Sequence, residues 1–245
     1  MEGQVEVVRE ILRNNPTINV NCKNASGYQA LHCASDEGHA SIVAILLAHP
    51  DIKVNLKDSR GGTPLHYACF DGHASCARLL LEDSRVKVND YRGSTPLWWA
   101  AYRGHLDVIK CWIASEREVD LGTRGDYQKD AIGAAKKWKK TEVVTLLERF
   151  KENPDHTRHV IRIELGLVDE LAAEMFALVV FVSDGLMQIR DTTTTTPAAR
   201  FFSIASQLPL ELQMVLCYRQ VGSEKEIIQG KESEAAFKEL ARRFW

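Results

Sequence analysis

The sequence predicts an all-α chain: a solenoid of stacked helix–turn–helix units over residues 1–150, then a helical module over residues 155–245. Three observations carry this. Gly27–His49, Gly61–Asp83 and Gly93–Ser115 are recognisable copies of one another, with starts 34 and 32 residues apart. A period in that range marks a stacked-repeat architecture. Each copy holds two short apolar runs at helical spacing, as in Leu65, Ala68 and Cys69 followed by Ala77, Leu80 and Leu81. Finally, 45% apolar and 26% charged residues describe an ordinary globular chain, which excludes wholesale disorder and collagen-like structure.

Taken in order, the units begin with a half unit, 1–21, in which GQVEVVREIL (Gly3–Leu12) matches only the second half of a copy. Met1–Leu12 is either a half-unit cap or the continuation of a longer form. Full units follow at about 22–56, 57–90 and 91–121. A degenerate capping unit at 122–150 keeps the pattern in DAIGAAKKWKKTEVVTLL (Asp130–Leu147) without the signature residues. Spacers of one type join them: INVN (Ile18–Asn21), IKVN (Ile52–Asn55), VKVN (Val86–Asn89) and the weaker VDL (Val119–Leu121).

The period, the TPLH of Thr63–His66 and the Gly-His pairs at Gly38, Gly72 and Gly104 resemble the ankyrin repeat over about residues 1–150. The resemblance implies a helix–turn–helix per unit, loops projecting sideways, and histidines that hydrogen-bond backbone and hold neighbouring units together. The residues support this chemically. Thr63 and Thr95 stand where a helix starts and can cap it, and Pro64 and Pro96 follow at the first helical position, where a missing N–H is harmless. Gly72 suits a left-handed turn between helices. One hairpin cannot bury both faces, so stacking supplies the core. In the last unit Asp130 and Ala131 replace Thr-Pro, and Lys139 and Lys140 replace Gly-His, which fits a unit with one wet side.

Lys151–His159 ends the periodic pattern, with Pro154 breaking the last helix. Beyond it the sequence predicts a helix over Gly166–Ile189, a polar flexible loop over Asp191–Arg200 centred on 191–197, and short helices over Ala198–Gln207 and Pro209–Arg219. A turn region over Glu224–Lys231 and a final amphipathic helix over Ser233–Trp245 complete it. LPLELQMVL (Leu208–Leu216) resembles the first helix of the F-box, which docks substrate receptors to a ubiquitin ligase. The plainer reading is a Pro-started helix burying Leu210, Met214 and Cys217.

The net charge of -2 gives no bulk attraction to nucleic acid or anionic membrane, and neither is expected as a partner. Lys136, Lys137, Lys139 and Lys140 read as a solvated face. The most apolar run, Leu171–Leu186, is interrupted by Glu174 and Asp184 and is short for a membrane span of about 20 residues, so it reads as a buried helix. The acidic start lacks a signal-peptide core, and the six cysteines sit mostly among small residues as reduced core thiols would. An intracellular setting, cytoplasmic or nuclear, is expected.

No catalytic motif is visible: there is no G-x-S-x-G, phosphate loop or dinucleotide fingerprint, and no enzyme activity or cofactor is expected. His66, Cys69, His73 and Cys76 have the spacing of a zinc site, but the repeat accounts for each of them separately, so no metal is expected. Asn55 and Asn89, each eight residues after a leucine (Leu47, Leu81), resemble hydroxylation sites of animal ankyrin repeats; the plainer reading is local loop closure by the side chain.

The resemblance implies that partners meet the loop tips and the first-helix face of each unit, on the concave side of the stack. Carried over by position, the partner-binding set is Tyr28, Arg60, Tyr67, Phe70, Tyr91, Arg92, Trp99, Tyr102 and Arg103. Aromatics interleaved with arginines are the composition of interface hot spots. Trp98, which replaces the motif histidine, is expected to fill a gap between units. The sequence therefore predicts a non-enzymatic scaffold or adaptor binding a protein or peptide. The alternative is a substrate receptor of a ubiquitin ligase, recruited through Leu208–Leu216.

Overall fold

The computed structural model describes residues 2–90, 94–115, 117–122, 130–183, 201, 205, 208, 210–221 and 236. Among them all regular structure is helical: α1 (Glu2–Asn14), α2 (Ala30–Asp36), α3 (Ala40–Leu47), α4 (Pro64–Asp71), α5 (Ala74–Glu82), α6 (Pro96–Arg103), α7 (Leu106–Ala114), α8 (Ala131–Lys137), α9 (Thr141–Glu152), α10 (Pro154–Glu164), α11 (Leu167–Ser183) and α12 (Leu210–Gln220). The chain divides into two compact units, Met1–Arg158 and His159–Trp245.

In the first unit the helices pair as α2/α3, α4/α5, α6/α7 and α8/α9, with α1 as a lone second helix. The first helices contact in the row α2–α4–α6–α8, the second in the row α1–α3–α5–α7–α9. This is a two-layered solenoid, and its core is periodic like its sequence. Leu31, Leu65 and Leu97 are buried at one repeat position, Ala34, Ala68, Ala100 and Ala135 at another, and Leu46, Leu80, Trp112 and Leu147 at a third. Alanines let the first helices approach closely. Each buried leucine contributes about 1.5–3 kcal/mol.

Local chemistry sets the helix ends. Thr95 Oγ1 accepts from the Trp98 N–H at 3.2 Å, and Pro96 follows at the first position. At Thr63 the third helical residue participates: the Thr63 N–H donates to His66 Nδ1 at 3.3 Å, and Thr63 Oγ1 lies 2.8 Å from the same nitrogen. Asp130 performs this task in the degenerate unit, its Oδ1 accepting from Gly133 N–H at 2.8 Å. Gly72 and Gly104 end α4 and α6 at φ of 82° and 86°. Where the last unit lacks that glycine, Lys139 adopts φ 56° instead.

Histidines stitch the units. His32 Nε2 reaches the Gly62 carbonyl at 3.1 Å, His73 Nε2 that of Asp36 at 2.8 Å and His105 Nε2 that of Phe70 at 2.9 Å. Because His32 Nδ1 accepts from the Gln29 N–H, its proton sits on Nε2, the donor to Gly62. Burial lowers the His32 pKa and keeps the ring neutral. The glycines serve the same contact: a Cβ on Gly38 would lie 2.5 Å from the His73 ring, and one on Gly72 2.5 Å from the His105 ring. At Gly104 the neighbour is the Lys140 side chain, which takes the histidine's place.

The spacers carry a second stitch, and here the structure corrects the expectation of local loop closure. Asn55 Nδ2 donates to the Arg85 carbonyl and Asn55 Oδ1 accepts from the Lys87 N–H, both at 2.7 Å, one unit further on. Asn21 makes the same pair with Asp51 and Lys53, at 2.7 and 2.8 Å. The valines beside them, Val20, Val54 and Val88, are buried. In α1, Val7 and Ile11 are exposed, whereas their counterparts Cys76 and Leu80 are fully buried by neighbouring helices. Of the six cysteines, Cys69, Cys76, Cys111 and Cys217 are buried; Cys22 and Cys33 are exposed, so they are not core thiols.

Pro154 both ends the periodic pattern and starts α10, one residue after α9 ends, with Asn153 Oδ1 accepting from the His156 N–H at 3.2 Å. In the second unit α11 presents Ala172, Ala173, Phe176, Ala177 and Val179 to a core completed by Cys217 and Tyr218 of α12, with Ala205 and Ala236. Among the described residues no helix is long and apolar enough to cross a membrane. Leu210 departs from the sequence reading: it is 53% exposed, as is Leu212 at 52%, while Met214 packs against the core and Cys217 is buried. The rest of the helix expected to Ile189, the loop over 191–197 and, apart from Ala236, the final helix over Ser233–Trp245 lie outside the described residues.

Candidate functional site

The predicted contact residues fall into two groups on the first unit. Phe70, Trp99, Tyr102 and Arg103 come together across α4 and α6. Phe70 meets Trp99 edge-on with ring centroids 5.2 Å apart, and Trp99 meets Tyr102 at 5.7 Å. Buried Trp98 lies parallel to Tyr102 at 5.1 Å and fixes its plane. The Arg103 guanidinium lies 4.6 Å from the Phe70 ring centre. An Arg held over an aromatic ring gains a cation–π contact and loses little further side-chain freedom on binding. Phe70, Trp99 and Tyr102 are half-buried and Arg103 is exposed, so each offers one side to solvent. Trp99 Nε1 is shielded and makes no hydrogen bond among the described residues.

Trp138, absent from the sequence-derived set, extends this group. It stands 48% exposed just past α8, its ring 5.1 Å from Tyr102. The signal was available: counted from the helix start, Trp138 is the equivalent of Arg103 and Asp71. It was obscured because the degenerate unit lacks its markers and surrounds the tryptophan with lysines.

The second group lies at the loop tips. Tyr28 and Arg60, with Asn24, Ala25, Ser26 and Ser59, line an open depression of about 510 Å³. Tyr67 corrects the expectation of exposure, being only 7% exposed. Its hydroxyl donates to buried Asp58 Oδ2 at 2.5 Å, and Asp58 Oδ1 accepts from the Arg60 and Gly62 N–H groups at 2.9 and 2.6 Å. Tyr67 thus anchors the tip loop and supports Tyr28, whose ring sits 5.0 Å away. Tyr91 and Arg92 lie outside the described residues.

Repeat positions also place charge on the first-helix face. Asp36 and Asp71, at the ends of α2 and α4, lie near enough across the boundary between units for their carboxylates to interact. Burial first, and then neighbouring Asp71, raise the Asp36 pKa; Glu37 acts in the same sense and His73 opposes it. The zinc-like set is dispersed into structural tasks: His66 at the α4 cap, His73 bonded to Asp36, Cys69 and Cys76 in the core. Among the described residues no three His, Cys, Asp or Glu side chains are grouped to hold a metal ion.

Two family models of ankyrin repeats match the chain, one of three copies over residues 50–125 and one of many copies over residues 11–68. No curated protein matches it. The N-terminal part of the chain is therefore built of ankyrin repeats.

Proposed function

We propose that the ankyrin repeats forming the N-terminal part of this chain act as a non-enzymatic scaffold, gripping a protein or peptide partner through Phe70, Trp99, Tyr102, Arg103 and Trp138. Ankyrin repeats generally serve as protein–protein interaction modules. The observation that carries the reading is the continuous cluster of half-exposed rings on the first-helix face, each held by its neighbours before any partner arrives. Pre-positioned aromatics lose little entropy on binding, which makes them hot-spot anchors. The loop-tip pair Tyr28 and Arg60 forms a second contact, to which Tyr91 and Arg92 belong by repeat position.

The test is affinity capture of the partner by wild type, by Trp138→Ala and by Trp99→Ala/Tyr102→Ala. Truncating a hot-spot aromatic costs about 2 kcal/mol or more, so the double variant should lose roughly 100-fold or more in affinity. Circular dichroism separates loss of binding from loss of fold. Unchanged capture by a folded double variant refutes the surface.

One observation favours the adaptor alternative: Leu210 and Leu212 of α12 are more than half exposed. In that reading the stack grips a target and Leu208–Leu216 recruits a ubiquitin ligase. Pull-downs with Leu208→Ala/Leu212→Ala beside wild type decide it; no ligase subunit in either sample removes the alternative.

A further inference from the structure

The first helices differ in charge at equivalent repeat positions, and the differences are ordered. One position reads Asp36, Phe70, Tyr102, Lys137 along α2, α4, α6 and α8; the next reads Glu37, Asp71, Arg103, Trp138. The face is thus acidic over the first two units, aromatic from the second to the last and basic over the last two. The line is physically continuous: α2 packs on α4 with Asp36 near Asp71, Arg103 covers Phe70 and Tyr102 meets Trp138. Asp36 and Asp71 are held side by side in adjacent units, an arrangement that a cation from outside relieves.

We propose that this face is a polarised track for a linear peptide segment, with the segment's basic residues over Asp36 and Asp71, an apolar residue on Phe70 and Tyr102, and its acidic residues over Arg103 and Lys137. This rests on the binding role proposed above and names the chemistry of the partner. The geometry favours a linear segment because the polarity changes along a single file of repeat positions, one helix per step. Neighbouring helices lie about 8–10 Å apart, so three steps span about 25–30 Å. An extended chain at about 3.3 Å per residue covers that with roughly eight or nine residues. Complementary charge at both ends would fix the register and exclude uniformly charged competitors.

The test uses the full chain and labelled twelve-residue synthetic peptides read by fluorescence anisotropy. One set has two lysines, a central Leu-Phe and two glutamates, in both chain directions. The control has the same composition with charges interleaved. The bipolar set should bind at least five- to ten-fold tighter than the control, and should weaken as salt is raised. Asp36→Lys/Asp71→Lys, or the milder Asp36→Asn/Asp71→Asn, should remove most of that preference. Adding Arg103→Glu/Lys137→Glu to the lysine pair should restore it, because the peptide then binds turned round.

Equal binding of bipolar and interleaved peptides, or no saturation by either, overturns the track. So does sedimentation as a dimer that the charge reversals dissociate, since a second copy would then be the occupant. If Trp99→Ala/Tyr102→Ala abolishes binding of every peptide while no charge preference exists, the aromatic site stands and the polarity falls. If charge preference survives that double variant, the track stands and the aromatic anchors fall.

Discussion

Replacing Gly72 by alanine tests the stitch between units directly. The residue sits at φ 82°, where an L side chain is strained by about 1–2 kcal/mol. The new Cβ would also lie 2.5–2.8 Å from three atoms of the His105 ring, so the ring must shift and its 2.9 Å bond to Phe70 must lengthen. A lost bond of this kind costs about 0.5–1.5 kcal/mol. The sum is about 1.5–3.5 kcal/mol, part of it arising in the adjacent unit. In a His105→Ala background the ring is gone, and the same change should cost only the strain of about 1–2 kcal/mol. Urea unfolding followed by tryptophan fluorescence reports on the stack through Trp98, Trp99, Trp112 and Trp138. Gly104→Ala is the natural comparison: it meets a flexible lysine chain at 2.6 Å, which can swing away, so its cost should approach strain alone. An identical loss for Gly72→Ala in both backgrounds would show that the glycine answers only to backbone conformation.

Other outcomes follow from the same interfaces. Asn55→Ala removes two hydrogen bonds to the next spacer and should destabilise the stack by about 1–2 kcal/mol, with Asn55→Asp losing less because it still accepts from Lys87; urea midpoints of the three proteins check this. Asp36→Asn should raise the melting temperature at pH 7. The folded protein holds the Asp36 proton more readily than the unfolded chain does, so ionising this group as pH rises weakens the fold. The advantage of the variant should shrink as pH falls through the raised Asp36 value and vanish below the ordinary carboxylate range; melts across pH 3–7 on an approximately even grid, which show a constant difference if the carboxyl pair is unstrained, decide it.

Repeat register was legible because its determinants are local. A Thr-Pro start, a left-handed glycine and apolar residues at helical spacing each act through backbone dihedrals or one helix face. They predicted α4 to α7 closely, and even Asp130 of the degenerate unit could be read as a cap. The exposure of particular side chains was not legible in the same way. Tyr67 and Trp99 occupy the same repeat position, yet Tyr67 is buried by a bond to Asp58 and Trp99 is half open. The helical pattern places Leu210 in the core, yet it faces outward on α12.

By itself the sequence determined the kind of repeat, the residues that cap its helices and the residues available to the first-helix face. Only the tertiary structure decided which aromatics support one another, that Trp138 completes their cluster, and that Asn55 serves the following unit rather than its own loop. The physical reason is distance along the chain. Turn and cap preferences act over three or four residues, whereas burial and pairing in a stack are set by side chains about one repeat away, whose approach depends on how all the helices pack.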